Sequence, residues 1–328
     1  MKITEYNPLH TSGKNPWILL FSLLLITMGG LFLIGPLLSM ALAILAGGMG
    51  FNELQLLLSD PTALPGKRSL VLGIQGATSI GAFIIAPLIF YYTLVQGNIS
   101  DFFSNTRMTV IAGVLTSGIV FSFMIVNTLF IEWNVNLKLP EFMAGFERWA
   151  TGLEEQLREL TEYLTRFDSV SYFWLAVLVV AIIPAVGEEL LFRGLLQNIL
   201  RQITGKGHLA VWLAAFLFGL LHFQFYGMLP RVLLGALFGY LYLWSGNLFI
   251  PVLAHFVNNA LSLFFLYLYQ AGISSVDVES TEAFPWYYIT IFALSGVFLT
   301  LRFRKFYASS LKDERMGDRI QGREPGEG

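Results

Sequence analysis

Glu188 and Glu189 stand side by side, and Arg193 follows Glu189 by four residues, inside an otherwise apolar run from 172 to 200. An ion is costly to hold in hydrocarbon, so an ionisable group within such a run is a functional hypothesis whose partners must be found. On a helix, Glu189 and Arg193 share one face in the favourable order for an ion pair. Glu188 lies about 100° round the same helix and has no local partner. The pattern predicts a structural Glu189–Arg193 pair and a Glu188 that faces the bundle as a general base. Pro184 and Gly187, just upstream, loosen the helix there. Two more polar sites follow. His222 comes four residues after Phe218 in one apolar run, and His255 and Asn259 lie one above the other, at i and i+4, in another. Each has a plainer reading alone: an intramembrane His or Asn often joins two helices by a hydrogen bond, and a Glu–Arg pair can be structural. Together they suit a hydrolytic or metal site, with a proton or ion pathway as the alternative.

The elements that must position these groups are helices in lipid. The chain has 328 residues, 55% hydrophobic and 13% charged, against roughly 25% charged residues in a soluble protein. The fold class is all-α: a polytopic transmembrane helix bundle of about eight spans, since a span needs about 20 apolar residues, with one amphipathic interfacial helix. The spans read as 17–45, 69–95, 108–131, 172–200, 209–226, 230–244, 248–269 and 286–303. Gly29, Gly30 and Pro36 kink or break the first, and Gly235 with Gly239 in the sixth permits close helix approach. Four segments result: a three-span scaffold at 1–131, an extracytoplasmic amphipathic helix and linker at 132–171, a four-span catalytic core at 172–270, and a last span with a polar cytoplasmic tail at 271–328. In the second segment Phe142, Phe146, Trp149, Leu153, Leu157, Leu160 and Leu164 form one apolar stripe. Glu147, Glu154, Glu155, Glu159 and Glu162 between them make the other face acidic and solvated. This helix lies on the membrane surface or against the bundle, with partner binding or substrate gating as the alternative.

Counting gives depth. Glu188 and His222 are both 17 residues from the turn near Gly205 and so lie at similar levels. His255 is only about 7 residues, about 10 Å, beyond the turn at 248. Its level matches only if the hairpin around Gly205 projects further. Lysines and arginines place both termini in the cytoplasm, with the amphipathic helix outside and the site reached from the cytoplasmic face. The net charge of −2 and the absence of a basic face exclude nucleic acid as a partner. Without cysteine there is no disulfide, thiolate ligand or Cys nucleophile. The apolar run after the polar residues 1–15 reads as a retained span, not a cleaved signal.

Glu188-Glu189-Leu-Leu-Phe-Arg193, Phe218-Gly-Leu-Leu-His222 and His255-Phe-Val-Asn258-Asn259 resemble the E-E-x-x-x-R, F-x-x-x-H and H-x-x-x-N motifs of the CAAX prenyl endopeptidase and bacteriocin-processing family of intramembrane proteases, also called CPBP or Abi. Three motifs in the right order carry far more weight than one, and the resemblance covers about 170–269. It implies an intramembrane endopeptidase in which Glu188 activates water with help from His222. His255 and Asn259 would stabilise the oxyanion, Glu189 and Arg193 would shape the site, and Phe218 would pack beneath His222. Zn2+ is left open: Glu188, His222 and His255 could form a His-His-Glu site with an open position, and a glutamate-only mechanism competes with it. The implied partners are a peptide or protein substrate, prenylated at a C-terminal Cys motif in the eukaryotic members, and the lipid bilayer. A non-proteolytic scaffold or bacteriocin-immunity protein with the same fold is the alternative.

Overall fold

The computed structural model describes residues 9, 13–63, 66–103, 108–277 and 279–320. Among the described residues the chain is helical, with no strand. The helices are α1 (Pro16–Leu45), α2 (Phe51–Ser59), α3 (Arg68–Val95), α4 (Val110–Val135), α5 (Ala144–Leu164), α6 (Val170–Thr204), α7 (Gly207–Leu220), α8 (Met228–Ser245), α9 (Phe249–Gln270) and α10 (Trp286–Ile320). All but α2, α5 and α7 are long and apolar enough to cross a membrane. Their outward side chains, among them Ile18, Leu25, Phe32, Val114, Phe298 and Leu301, are exposed as lipid-facing residues should be. The protein is an integral membrane helix bundle.

Prolines shape three of these helices in the same way. π-helical turns at Gly30–Ile34, Ile80–Ile85 and Val177–Ile182 each end two residues before a proline, Pro36, Pro87 and Pro184. Proline lacks the N–H that would bond the carbonyl four residues back and its ring crowds that carbonyl. A π turn absorbs the mismatch without breaking the helix. The first span is therefore continuous through Gly29, Gly30 and Pro36.

Contacts at the helix ends give the threading. Leu19 and Leu23 at the start of α1 pack with Phe90 and Val95 at the end of α3 and with Ile199 and Leu200 at the end of α6. Phe303 and Tyr307 of α10 meet the end of α8 at Leu241, the start of α4 at Ala112 and the start of α9 at Ile250. Asn198 joins the two groups by donating to the Tyr242 hydroxyl at 2.9 Å. The start of α1 and residues 303–307 thus share one face. On the opposite face Arg68 pairs with Asp168, Gln270 donates to the Thr165 carbonyl at 3.1 Å, and α5 lies across the bundle against α3. Eight passes result, with α7 as the short one. Its 14 residues span about 21 Å against about 30 Å of hydrocarbon, and the pass expected at 209–226 finishes in turns from 221 onward.

The motif helix α6 sits at the centre, in contact with α1, α3, α7, α8 and α9. Of the three N-terminal spans, α1 and α3 pack on each other and on α6, whereas α4 packs on α8, α9 and α10. The last helix runs past 303 to Ile320. The end of the expected tail, 321–328, lies outside the described residues.

The amphipathic stripe differs from its sequence reading. Leu160 and Leu164 pack on the bundle, but Phe142 and Trp149 are exposed and Phe146 is only partly covered. Glu147 and Glu154, expected to be solvated, turn inward to Tyr226. The backbone N–H and the hydroxyl of Tyr226, both partly buried, are the donors that they meet there.

Candidate active site

α6 brings the first group into the core. Glu189 and Arg193 are fully buried and paired at 2.7 Å, as their spacing predicts. Glu189 does more than this pairing. The same oxygen, Oε1, accepts from His255 Nδ1–H at 2.8 Å, so the carboxylate joins α6 to α9. The contact brings Glu189 and His255 to one level without the projecting hairpin that counting required: Arg193 meets Gly235 and Gln197 meets Gly239 on α8, so the turns at Gly205 and Gly246 lie at similar heights. Arg193 gives a second bond, Nη2 to the Gly235 carbonyl at 3.0 Å. One turn on, Gln197 donates to the Gly239 carbonyl at 3.2 Å. The two glycines of α8 thus present carbonyls to residues i and i+4 of α6. They also allow the close approach expected of them: a Cβ at Gly235 would meet Phe218 Cδ1 at 3.1 Å and one at Gly239 would meet Val211 Cγ1 at 2.9 Å.

Aromatic rings hold the charges in place. Phe218 lies against His222 with centroids 4.8 Å apart and against His255 at 6.0 Å, and the Arg193 guanidinium sits 4.7 Å from the centre of its ring. Phe238 stacks on His255 at 5.3 Å and meets Arg193 from another side at 5.4 Å. A guanidinium among aromatic faces keeps its charge at lower desolvation cost. Phe238 was invisible in the sequence, being one apolar residue among many.

The tautomers follow from the partners. Phe218 O can only accept, so His222 carries its proton on Nδ1 and donates to that carbonyl at 2.7 Å. Its Nε2 is left with a lone pair. Glu189 in the same way fixes the proton of His255 on Nδ1, leaving Nε2 as the free ring nitrogen. Asn259 sits one turn further along α9 and donates Nδ2–H to Val180 O at 3.0 Å. Val180 is the residue whose helical partner would be the absent N–H of Pro184, so the proline that bends α6 also supplies the carbonyl that anchors Asn259. Asn258 in turn donates to Asn259 Oδ1 at 3.0 Å.

Glu188 is half-buried on α6 and its Oε2 is a buried atom to which no described protein group donates. His255, Glu189, Arg193 and Arg231 are its charged neighbours. A buried carboxylate oxygen without a donor costs free energy that water or substrate can recover. Arg231, three residues into α8, has a guanidinium Nη1 that donates to Gly227 O at 2.9 Å and faces Glu188 and Glu154 electrostatically. A lone arginine at the mouth of an apolar span was the signal available for it in the sequence. The polar groups leading outward from Glu188, namely Arg231, Tyr226, Glu154 and Glu147, run to the face covered by α5. That is the face opposite the start of α1.

The zinc set considered from the sequence does not assemble. Among the described residues no group of three or more His, Cys, Asp or Glu is placed to hold a metal ion. The Nδ1 atoms of both histidines are engaged, which leaves Nε2 as the open nitrogen of each. No step below runs through a metal.

Comparison with known proteins places these groups in one matched segment. An 88-residue stretch, 26% of this chain, is 33% identical to the "Uncharacterized protein YpbD" of Bacillus subtilis (strain 168) and spans 42% of that protein's length. No solved structure matches the chain. Glu188, Glu189, Arg193, Phe218, His222, His255 and Asn259 all fall within residues 170–261, which match the family described as type II CAAX prenyl endopeptidase Rce1-like.

Proposed function

We propose that the protein is an intramembrane endopeptidase in which Glu188 activates the attacking water. The observation that carries this reading is the buried, donor-free Oε2 of Glu188 beside His255. Water held there gives its proton to Glu188 as its oxygen bonds to the scissile carbonyl carbon. His222 accepts a hydrogen bond from the water through Nε2, the nitrogen left basic by the Phe218 carbonyl. As the C–N bond breaks, Glu188 returns the proton to the leaving amine.

The oxyanion needs donors already aimed at it. Asn259 gives one N–H to Val180 O, and the second is the one this reading assigns to the oxyanion. His255, held by Glu189 on Nδ1, donates to it through Nε2 when both ring nitrogens carry a proton. Glu189 and Arg193 therefore act as positioning residues. The four helices of 172–270 form the catalytic core. The substrate of this reading is a peptide or protein presented from the bilayer, and prenylated C-terminal peptides are the first to try because the matched family is described as a CAAX prenyl endopeptidase.

The test is hydrolysis of a peptide library, including prenylated C-terminal peptides, by detergent-purified protein. Glu188→Gln should lower the rate by about 10²–10⁴-fold, the range for a general base, while leaving the protein folded. Activity should survive a chelator. A fully active Glu188→Gln protein would remove the hydrolytic reading and leave the scaffold or immunity one.

A further inference from the structure

The short helix α7 leaves residues 221–227 to complete a membrane pass as irregular backbone. Non-helical backbone at that depth is tolerated only where protein or a water-filled cavity satisfies it. Here α5 satisfies it. Glu154 Oε1 accepts from the Tyr226 backbone N–H at 2.7 Å, and Glu147 Oε1 accepts from the Tyr226 hydroxyl at 3.1 Å. Glu147 and Glu154 are two turns apart and share a face of α5. Phe146 packs edge to face on Phe225 with centroids 5.3 Å apart. From the end of α4, Asn134 accepts from Leu229 N–H at 2.9 Å and donates to Phe225 O at 3.4 Å. Tyr226 is four residues from His222. Glu154 also faces Arg231, the cation next in line to Glu188.

We propose that Glu154 and Glu147 are positioning residues for the site: the amphipathic helix straps the 221–227 segment through Tyr226 and thereby holds His222 and Arg231 in register with Glu188. Seen this way, the acidic residues of α5 divide by task. Glu155 and Glu162 pair with Arg158 on the exposed side of the helix, while Glu147 and Glu154 face inward and act on the site. The catalytic consequence rests on the endopeptidase reading; the strap itself does not.

The absence of cysteine permits a test that is independent of catalysis. With Gln224→Cys as the single thiol, its labelling by a maleimide reports how firmly the segment is held. Adding Glu154→Ala should speed labelling about tenfold, the scale of one lost charge-assisted hydrogen bond, and Glu154→Gln, which keeps an accepting oxygen, should restore most of the protection. In the peptidase assay Glu154→Ala should lower kcat about tenfold with KM little changed. A purely structural contact would reduce the amount of folded protein and leave kcat per folded molecule unchanged. Glu147→Ala and Tyr226→Phe should each lower kcat, and the double variant should be no worse than either single one. Should Glu154→Ala fail to fold, Tyr226→Phe, which removes one hydroxyl, carries the same comparison. Unchanged labelling and unchanged kcat would overturn the strap. Faster labelling in a protein without peptidase activity would uphold the strap and remove its catalytic consequence.

Discussion

Glu189 Oε1 serves two cationic or potentially cationic partners, Arg193 at 2.7 Å and His255 at 2.8 Å, in a fully buried position. Removing the carboxylate strands a guanidinium in the core, so Glu189→Ala should destabilise the fold by about 3–5 kcal/mol, read as a lower thermal midpoint in detergent. Replacing the pair together separates stability from function. Glu189→Leu with Arg193→Met substitutes apolar volume for the ion pair and should recover most of that stability. Activity should remain lost, because His255 has no acceptor to orient it. Recovery of hydrolysis in this double variant would show that Glu189 serves only the fold. At this scale the Glu189–Arg193 pair was legible, since spacing of four on a helix is local information. The bond to His255 was not, because it depends on how α9 packs against α6, two helices far apart in the chain. The inward turn of Glu147 and Glu154 was hidden for a related reason: the periodicity of α5 records which residues are apolar, not where a neighbouring loop offers an N–H.

Elements carry the next level of control. Pro184 prevents the 180–184 hydrogen bond of a regular helix, and Val180 O goes instead to Asn259 at 3.0 Å. Pro184→Ala would supply the missing N–H and let α6 close into regular α-helix, with a gain in local helical stability. Asn259 would then compete for a carbonyl that has a nearer donor. The expected outcome is a kcat lower by about ten- to a hundredfold, toward the loss of one oxyanion donor, with a thermal midpoint unchanged or higher. A variant with unchanged kcat would mean that Asn259 does not depend on the bend. The α6–α8 contact makes the opposite prediction for stability. Gly239→Ala places a Cβ 2.9 Å from both Gln197 Oε1 and Val211 Cγ1, so the helices must separate, at about 1–3 kcal/mol. The prolines and glycines behind both effects were visible in the sequence as breakers and small residues. The π turns were not, because the same residues are compatible with a kink, a break or a shifted register. The length of α7 was also missed, since the residues after Leu220 remain apolar enough to read as a continuing span.

For the molecule as a whole, the eight passes place the start of α1 and residue 309 on one face and α5 on the other, and every count of sidedness depends on α7 making a complete pass with only 14 helical residues. The polar groups from Glu188 through Arg231 and Tyr226 to Glu154 lead toward the α5 face. Several basic residues on the α5 face are paired, which a count of charges in the sequence does not register. Arg68 is bound to Asp168 and Arg158 to Glu155 and Glu162, and Arg231 lies within the site region rather than in a loop. Single cysteines resolve this cleanly in a chain that has none. Gln156→Cys, exposed on α5, and Ser309→Cys, exposed on α10, should react with a membrane-impermeant maleimide from opposite sides of sealed vesicles. Labelling from the same side would mean that the 207–227 segment enters and leaves by one face. His222 would then sit on a re-entrant hairpin. In the eight-pass arrangement the thiol that shares a side with added peptide substrate should be the one on α5, because that face leads to Glu188. If activity in sealed vesicles instead follows the side of Ser309, the route to Glu188 passes between the α6–α7 hairpin and α9, and α5 closes the far end of the site.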